Sequence, residues 1–125
     1  MTERMSYVEA RVLLAKPKRR SKYRNVPTPG PGGRVYASKL EARHAEVLEA
    51  QQRAGLIRGW LPQVSLPVPG TSRRMIVDFL VVRNDGTLVL QDTKGMVTRD
   101  WRIKAELVER ALGVPVDIIT RRSHG

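Results

Sequence analysis

Across residues 38–54 apolar positions recur at helical spacing. Leu40, His44, Val47, Leu48 and Ala54 fall near one face, and Lys39, Arg43, Glu46, Glu49 and Arg53 lie mostly elsewhere. Gly55 is a natural stop. Ser38, followed three residues later by Glu41, has the spacing of a capping box, in which each side chain satisfies a free backbone N–H at the helix start. Beyond Gly55 the period changes to two. Val64, Leu66 and Val68 alternate with Ser65 and Pro67, which predicts a strand with one covered face, and the prolines favour a place towards the sheet edge. After the turn Pro69-Gly70-Thr71-Ser72, residues 75–82 are apolar except for Asp78, the mark of a strand covered on both faces. Asn84-Asp85-Gly86 is a hairpin signal leading into Leu88-Val89-Leu90-Gln91-Asp92. A second amphipathic helix is predicted over about residues 100–112, with Ile103, Leu107 and Ala111 on one face and Gly113 at its end. Residues 114–120 read as a last buried strand, reached by a helical crossover and therefore parallel to the strand before it. The pattern is an α/β fold in the order helix, three-stranded meander, helix, strand.

Composition narrows what such a fold can do. A chain of 125 residues is the size of one domain, and 23 Lys+Arg against 12 Asp+Glu leave a net charge of +11, which points to a polyanionic partner. The first 24 residues hold eight basic and two acidic side chains, so a net +6 sits in this segment, with the run Lys16, Lys18, Arg19, Arg20, Lys22 and Arg24 suited to lie along nucleic-acid phosphates. A solvated tail is the alternative reading of the same run. Pro27-Thr28-Pro29-Gly30-Pro31-Gly32-Gly33 denies the backbone both donors and regular dihedrals, so a loop is expected there. The organisation that follows is a basic arm and Pro/Gly linker over 1–33, a folded domain over 34–121 and a tail over 122–125. No cysteine is present, which excludes disulfides, thiol catalysis and Cys-based metal sites; any metal must be held by oxygen or histidine. No apolar run approaches the ~18 residues needed to span a bilayer, and the first residues carry no signal-peptide core, so a cytoplasmic protein of a bacterial or phage-infected cell, without membrane contact, is expected.

The chemistry concentrates in three residues. Asp78 interrupts an apolar strand, where an unpaired charge costs on the order of several kcal/mol, so it requires a cation, a hydrogen-bond network or an open edge. Asp92 ends the next strand, two residues before Lys94, so both side chains share one face of the sheet, and Gly95 follows. Two carboxylates with a backbone carbonyl between them offer hard ligands to Mg²⁺, and a metal-bound water near a lysine is a nucleophile for phosphodiester hydrolysis. Alternatively, Asp78 pairs with Arg73 or Arg74, and Asp92 with Lys94 alone.

An acid on the first helix, Asp at the second strand and Asp-x-Lys on the third resembles the PD-(D/E)XK nuclease superfamily, which has a restriction-endonuclease-like core. Ser38-Lys39-Leu40-Glu41-Ala42, Val77-Asp78-Phe79 and Gln91-Asp92-Thr93-Lys94-Gly95, with Thr98 and Lys104, resemble more narrowly a small phage and prophage endonuclease group, some members of which are likened to Holliday junction resolvases of DNA recombination. Val77 stands where the superfamily name has proline, a position without chemical duty. The resemblance implies that Asp78 and Asp92 ligate Mg²⁺, with Mn²⁺ as a substitute, that the Thr93 carbonyl completes the protein shell, that Lys94 positions or activates water, and that Glu41 acts through water or as a ligand. It implies no small-molecule cofactor beyond the metal. Glu41 as a helix cap alone is the structural alternative.

Lys39, Gln63 and Lys104 are candidates to contact phosphate or brace the site, or are plain surface polar residues. His44 is expected to be packed rather than a ligand, and His124, beside Arg121 and Arg122, to lie in an unordered tail. Trp60 and Trp101 suit packing better than base stacking. Two functions of different class follow. One is a Mg²⁺-dependent endodeoxyribonuclease acting on branched or distorted DNA, with recognition by shape and a homodimer matching two opposed strands. The other is a non-catalytic nucleic-acid-binding protein on the same fold that uses its basic arm.

Overall fold

The computed structural model describes residues 25–124; Lys16, Lys18, Arg19, Arg20, Lys22 and Arg24 lie outside the described residues. The chain runs through β1 (Thr28–Pro29), a 3-10 turn (Pro31–Gly33), β2 (Val35–Tyr36), α1 (Lys39–Arg53), β3 (Gly59–Pro67), β4 (Arg74–Val82), β5 (Leu88–Thr93), α2 (Arg99–Leu112), β6 (Val116–Ile119) and a closing 3-10 turn (Arg121–His124). Strands β3, β4, β5 and β6 lie side by side in that order, the first two contacts antiparallel and the β5–β6 contact parallel. The meander, the crossover helix and the parallel last strand are therefore those expected from the hydrophobic pattern. Among the described residues no helix is long and apolar enough to cross a membrane.

Local chemistry explains the element ends. Ser38 Oγ accepts from Glu41 N at 3.1 Å and starts α1, and Thr98 Oγ1 accepts from Trp101 N at 3.1 Å and starts α2. Gly113, at φ 67°, ends α2 in the left-handed conformation that glycine adopts without strain. Pro62 and Pro67 fall in β3, which among the described residues is an edge strand paired on one side, where a missing N–H is tolerated.

Four expectations are corrected. The Pro/Gly stretch expected as a loop contains paired strands: Thr28 faces Tyr36 and Pro29 faces Val35. Tyr36 holds that ribbon, since its ring is buried in the core and its hydroxyl donates to the Pro31 carbonyl at 3.1 Å. Gly30 lies so close beneath the ring that a Cβ there would sit 2.7 Å from it. In α2 the buried residues are Ala105 and Val108, with Trp101 and Leu107 partly buried against them, while Ile103 is 49% exposed. Trp101, Ala105 and Val108 stand at i, i+4 and i+7, so the spacing carried this face too, beside the one marked by Ile103, Leu107 and Ala111. Strand β6, expected to be buried, is an edge strand in which only Ile119 is buried. Ala54 caps α1 in solvent rather than continuing its apolar face.

Two clusters make the core. Tyr36, Ala42, Ala45, Leu48, Phe79, Val81 and Val89 form one beneath α1, and Val68, Met75, Val77, Leu90, Ala105 and Val108 form the other beneath α2. Met75, Val77, Phe79 and Val81 have the same period-two parity, and a regular strand would put all four on one face. Their division between the clusters means that β4 turns over between Val77 and Phe79, at Asp78. The neighbouring ladders change at the same level. Pairing of β3 with β4 passes from Pro62–Phe79 to Val64–Val77 and skips Gln63 opposite Asp78, and pairing of β4 with β5 stops at Phe79–Gln91.

Candidate functional site

Where the ladders open, side chains take over the backbone's hydrogen bonds. Asp78 N–H donates to Asp92 Oδ1 at 3.0 Å. Asp78 Oδ2 accepts from Thr93 N–H at 2.9 Å and from Thr93 Oγ1 at 2.6 Å. Asp92 Oδ2 accepts from the Trp101 indole N–H at 2.9 Å and lies 3.3 Å from Lys94 Nζ, which itself sits 5.2 Å from the Trp101 ring centroid. Asp78, Asp92 and Lys94 thus converge as the strand register predicts.

The two acids are buried, Asp92 with only 2% of its surface exposed. Burial and the neighbouring Asp78 carboxylate push Asp92 up to about 7, against the opposing pull of Lys94. The arginine partners considered for Asp78 are engaged elsewhere: Arg73 lies 3.8 Å from Asp100, and Arg74 donates to Ser65 Oγ at 2.8 Å. Asp78 is held instead by Thr93.

Glu41 is also buried, and its Oε2 accepts from Gln63 Nε2 at 2.8 Å. Gln63 is the one non-glycine among the described residues with positive φ, at 56°. A left-handed backbone costs a side-chain-bearing residue roughly 1–2 kcal/mol, and such strain clusters at functional sites. Its position opposite Asp78, with its amide on Glu41, ties the first-helix acid to the level of the acidic pair. Lys39 is exposed at the start of α1, and Lys104 Nζ lies 3.1 Å from Asp100 Oδ2.

Two relations were not read from sequence. The Trp101 donation to Asp92 had one signal, that a half-buried indole N–H needs an acceptor. The other is a chain through His44, whose Nε2 lies 2.6 Å from Gln91 Oε1 and whose Nδ1 lies 2.8 Å from His124 Nε2. His44 is packed, as expected, with its ring edge against Phe79. His124, expected in an unordered tail, is held in the closing turn; its partner is 80 residues away in sequence, so no local pattern announces the pair. Trp60 packs edge-on against Phe79 and donates to Glu49. A surface groove of about 330 Å³ lined by Pro31, Gly32, Glu46, Glu49, Ala50 and Arg53 shares no residue with the acidic pair.

The donor set fits a hard divalent cation. The two buried carboxyls are in hydrogen-bond contact with one another, and they face a single ammonium among the described residues. Among the described residues no three acidic or histidine side chains gather as a group that could enclose an ion, so Glu41 stands apart from the Asp78–Asp92 pair. Two carboxylates with remaining positions left to carbonyl, water and phosphate oxygens is a common provision for Mg²⁺. Compared with known proteins, the chain matches no protein-family model and no curated protein sequence.

Proposed function

We propose that the protein is a metal-dependent endonuclease that hydrolyses phosphodiester bonds of DNA, built on a restriction-endonuclease-like core and acting on branched or distorted structures. The observation that carries the reading is the Asp78–Asp92 pair: adjacent buried carboxylates, one of which keeps its proton up to about 7, beside one lysine. A structural ion pair needs one carboxylate per cation. A second carboxylate against the first is unfavourable unless one of them holds a proton or the site binds something positive, and perturbed acids of this kind cluster at functional sites. The element order and the parallel final strand support the assignment of the core.

Mg²⁺, or Mn²⁺ in its place, would supply Lewis-acid stabilisation of phosphate charge and a more acidic water. Asp78 and Asp92 would hold it, together with the Thr93 carbonyl. Thr93 N–H and Oγ1 keep the Asp78 carboxylate turned, and Trp101 does the same for Asp92. Lys94 Nζ orients the attacking water or offsets charge on a phosphate oxygen. Gln63 fixes Glu41, which orders water at the edge of the pair. A 125-residue chain has little room for a separate base-reading module, so recognition by backbone charge and shape fits it better than the reading of a long sequence. A homodimer sets two such sites on opposed strands.

The test is incubation with labelled four-way junction, forked, single-stranded and linear duplex DNA, with Mg²⁺, Mn²⁺ or chelator. Metal-dependent cutting that is abolished in Asp78→Asn and Asp92→Asn is the expected result. Binding without cutting under every metal condition would leave the non-catalytic nucleic-acid-binding protein as the function. Cutting that survives both substitutions would move the site elsewhere.

A further inference from the structure

The closing turn is fastened to the fold beside the acidic pair. Strand β6 runs parallel to β5 with Asp92 facing Ile118 and Thr93 facing Ile119, and Lys94 N–H donates to the Ile119 carbonyl at 3.0 Å. The chain therefore leaves β6 at the end of the sheet that carries Lys94, and turns at once through Arg121–His124. Thr120 N–H on Ser123 Oγ and Ser123 N–H on the Thr120 carbonyl, both 3.0 Å, close that turn.

His124 then reaches α1. Its ring lies within 15° of the plane of the His44 ring, and the nitrogens are 2.8 Å apart, the arrangement of an in-plane N–H···N bond. With Gln91 Oε1 accepting from His44 Nε2–H, His44 Nδ1 is the acceptor and His124 Nε2–H the donor. His124 Nδ1 is left as a buried acceptor with no partner among the described residues, at a cost of about 1–3 kcal/mol that the contacts of the closing turn must offset. His44 stands one helical turn beyond Glu41, and Gln91 directly precedes Asp92. The latch thus spans from β6 over β5 to α1 at the level of the candidate site.

The turn carries cations that the fold does not use. Arg121 and Arg122 are exposed and pair with no carboxylate among the described residues; neither does exposed Arg43, on α1, whose charge reaches His124. We propose that the turn Arg121–His124 is a fixed nucleic-acid contact: His124 latches it to His44 on α1, and Arg121 and Arg122 meet backbone phosphates next to the Asp78–Asp92 pair. The inference rests on the nuclease reading for the identity of its partner. Cations held on a turn lose less conformational freedom on binding than cations on a free tail, so the latch and the charges make separable contributions.

The experiment measures binding of the full chain to labelled four-way junction and linear duplex DNA by fluorescence anisotropy, in chelator so that no cleavage intervenes, over a range of salt. Arg121→Ala/Arg122→Ala, at exposed positions that leave the fold intact, is expected to weaken binding severalfold to tenfold per contact at about 0.1 M salt and to lower the salt slope by about one per arginine. His124→Ala and His124→Phe, which keep both arginines, are expected to weaken binding severalfold with the salt slope retained. The same ranking is expected in an Asp92→Asn background, since the contact is independent of cleavage. If the wild type binds and the double arginine variant matches it in affinity and slope, the turn is no contact. If the arginine variant weakens while both His124 variants match the wild type, the latch has no role and the proposal is overturned. A wild type that binds neither DNA overturns the nucleic-acid reading itself, a result distinct from the other two.

Discussion

The backbone N–H of Asp78 donates to the Asp92 carboxylate at 3.0 Å, in the place where the next rung of the β4–β5 ladder would stand. The Asp78 carboxylate in turn takes both donors of Thr93, the residue after Asp92. Each acid is held by the strand that carries the other. This crossed arrangement exists because β4 turns over at Asp78, and it brings two carboxylates together at a point where Lys94 is the one cation among the described residues in contact with Asp92.

The acidic pair should set the pH dependence of stability in the metal-free protein. Asp92 titrates at about 7 when folded against an ordinary 3.8, so the folded state holds the proton more tightly. Its contribution is fully present below pH 3.8 and is lost as pH rises through about 7, a change on the order of a few kcal/mol. Burial holds His44 below its ordinary 6.5, which acts oppositely: that contribution is present above 6.5 and is lost as pH falls. Chemical denaturation of wild type and Asp92→Asn in chelator, compared across pH 4 to 8, isolates the acid. The difference in stability between the two proteins should change steadily over that window.

Cation binding should displace the Asp92 proton. Below about pH 7, Mg²⁺ uptake is expected to release close to one proton, and apparent affinity should fall about tenfold per pH unit on acidification. Calorimetry in buffers of different ionisation enthalpy reads the proton count directly. Uptake without release at pH 6 would mean that Asp92 is not a ligand.

Gln63 separates stability from function. Gly at this position accepts φ 56° without strain, whereas Ala does not, so Gln63→Gly should be more stable than Gln63→Ala by about 1 kcal/mol. Both variants lose the amide on Glu41 and should cleave at least tenfold more slowly than wild type. Denaturant midpoints and single-turnover rates on one set of proteins check both parts.

Trp101→Phe keeps an aromatic ring over Lys94 and removes the donor to Asp92 Oδ2. A hydrogen bond to an ionised carboxylate contributes about 1.5–3 kcal/mol, so its loss should raise the pH midpoint of Mg²⁺ binding by about one unit. A ring that only packs would leave the midpoint at the wild-type value.

On α2 the buried face predicts unequal costs. Val108 is fully buried between helix and sheet, and Val108→Ala should destabilise by about 2 kcal/mol, while Ile103→Ala, at a half-exposed position, should stay within about 0.5 kcal/mol of wild type. Thermal or denaturant unfolding measures both. Equal effects would restore the face marked by Ile103, Leu107 and Ala111.

The order of elements, the Ser38 cap, the hairpin at Asn84-Asp85-Gly86 and the meeting of Asp92 with Lys94 were all legible in the chain, because each depends on residues a few positions apart. Asp78 was legible as an anomaly: a charge in an apolar strand announces itself whatever surrounds it. The orientation of α2 was legible only in part: Trp101, Ala105 and Val108 share the i, i+4, i+7 spacing of one face, but the larger Ile103 and Leu107 mark a neighbouring one, and of these only Leu107 packs against the core.

By itself the sequence determined the strand and helix periods, the positions of the acids and the excess of positive charge, all of which are local sums over neighbouring residues. Tertiary structure alone decided that β4 turns over at Asp78, that Gln63 takes a left-handed backbone to face it and hold Glu41, that Trp101 donates to Asp92, and that His124 closes on His44. Each of these joins residues on different elements, and a hydrogen bond across a fold is specified by where two backbones arrive, which no periodicity encodes.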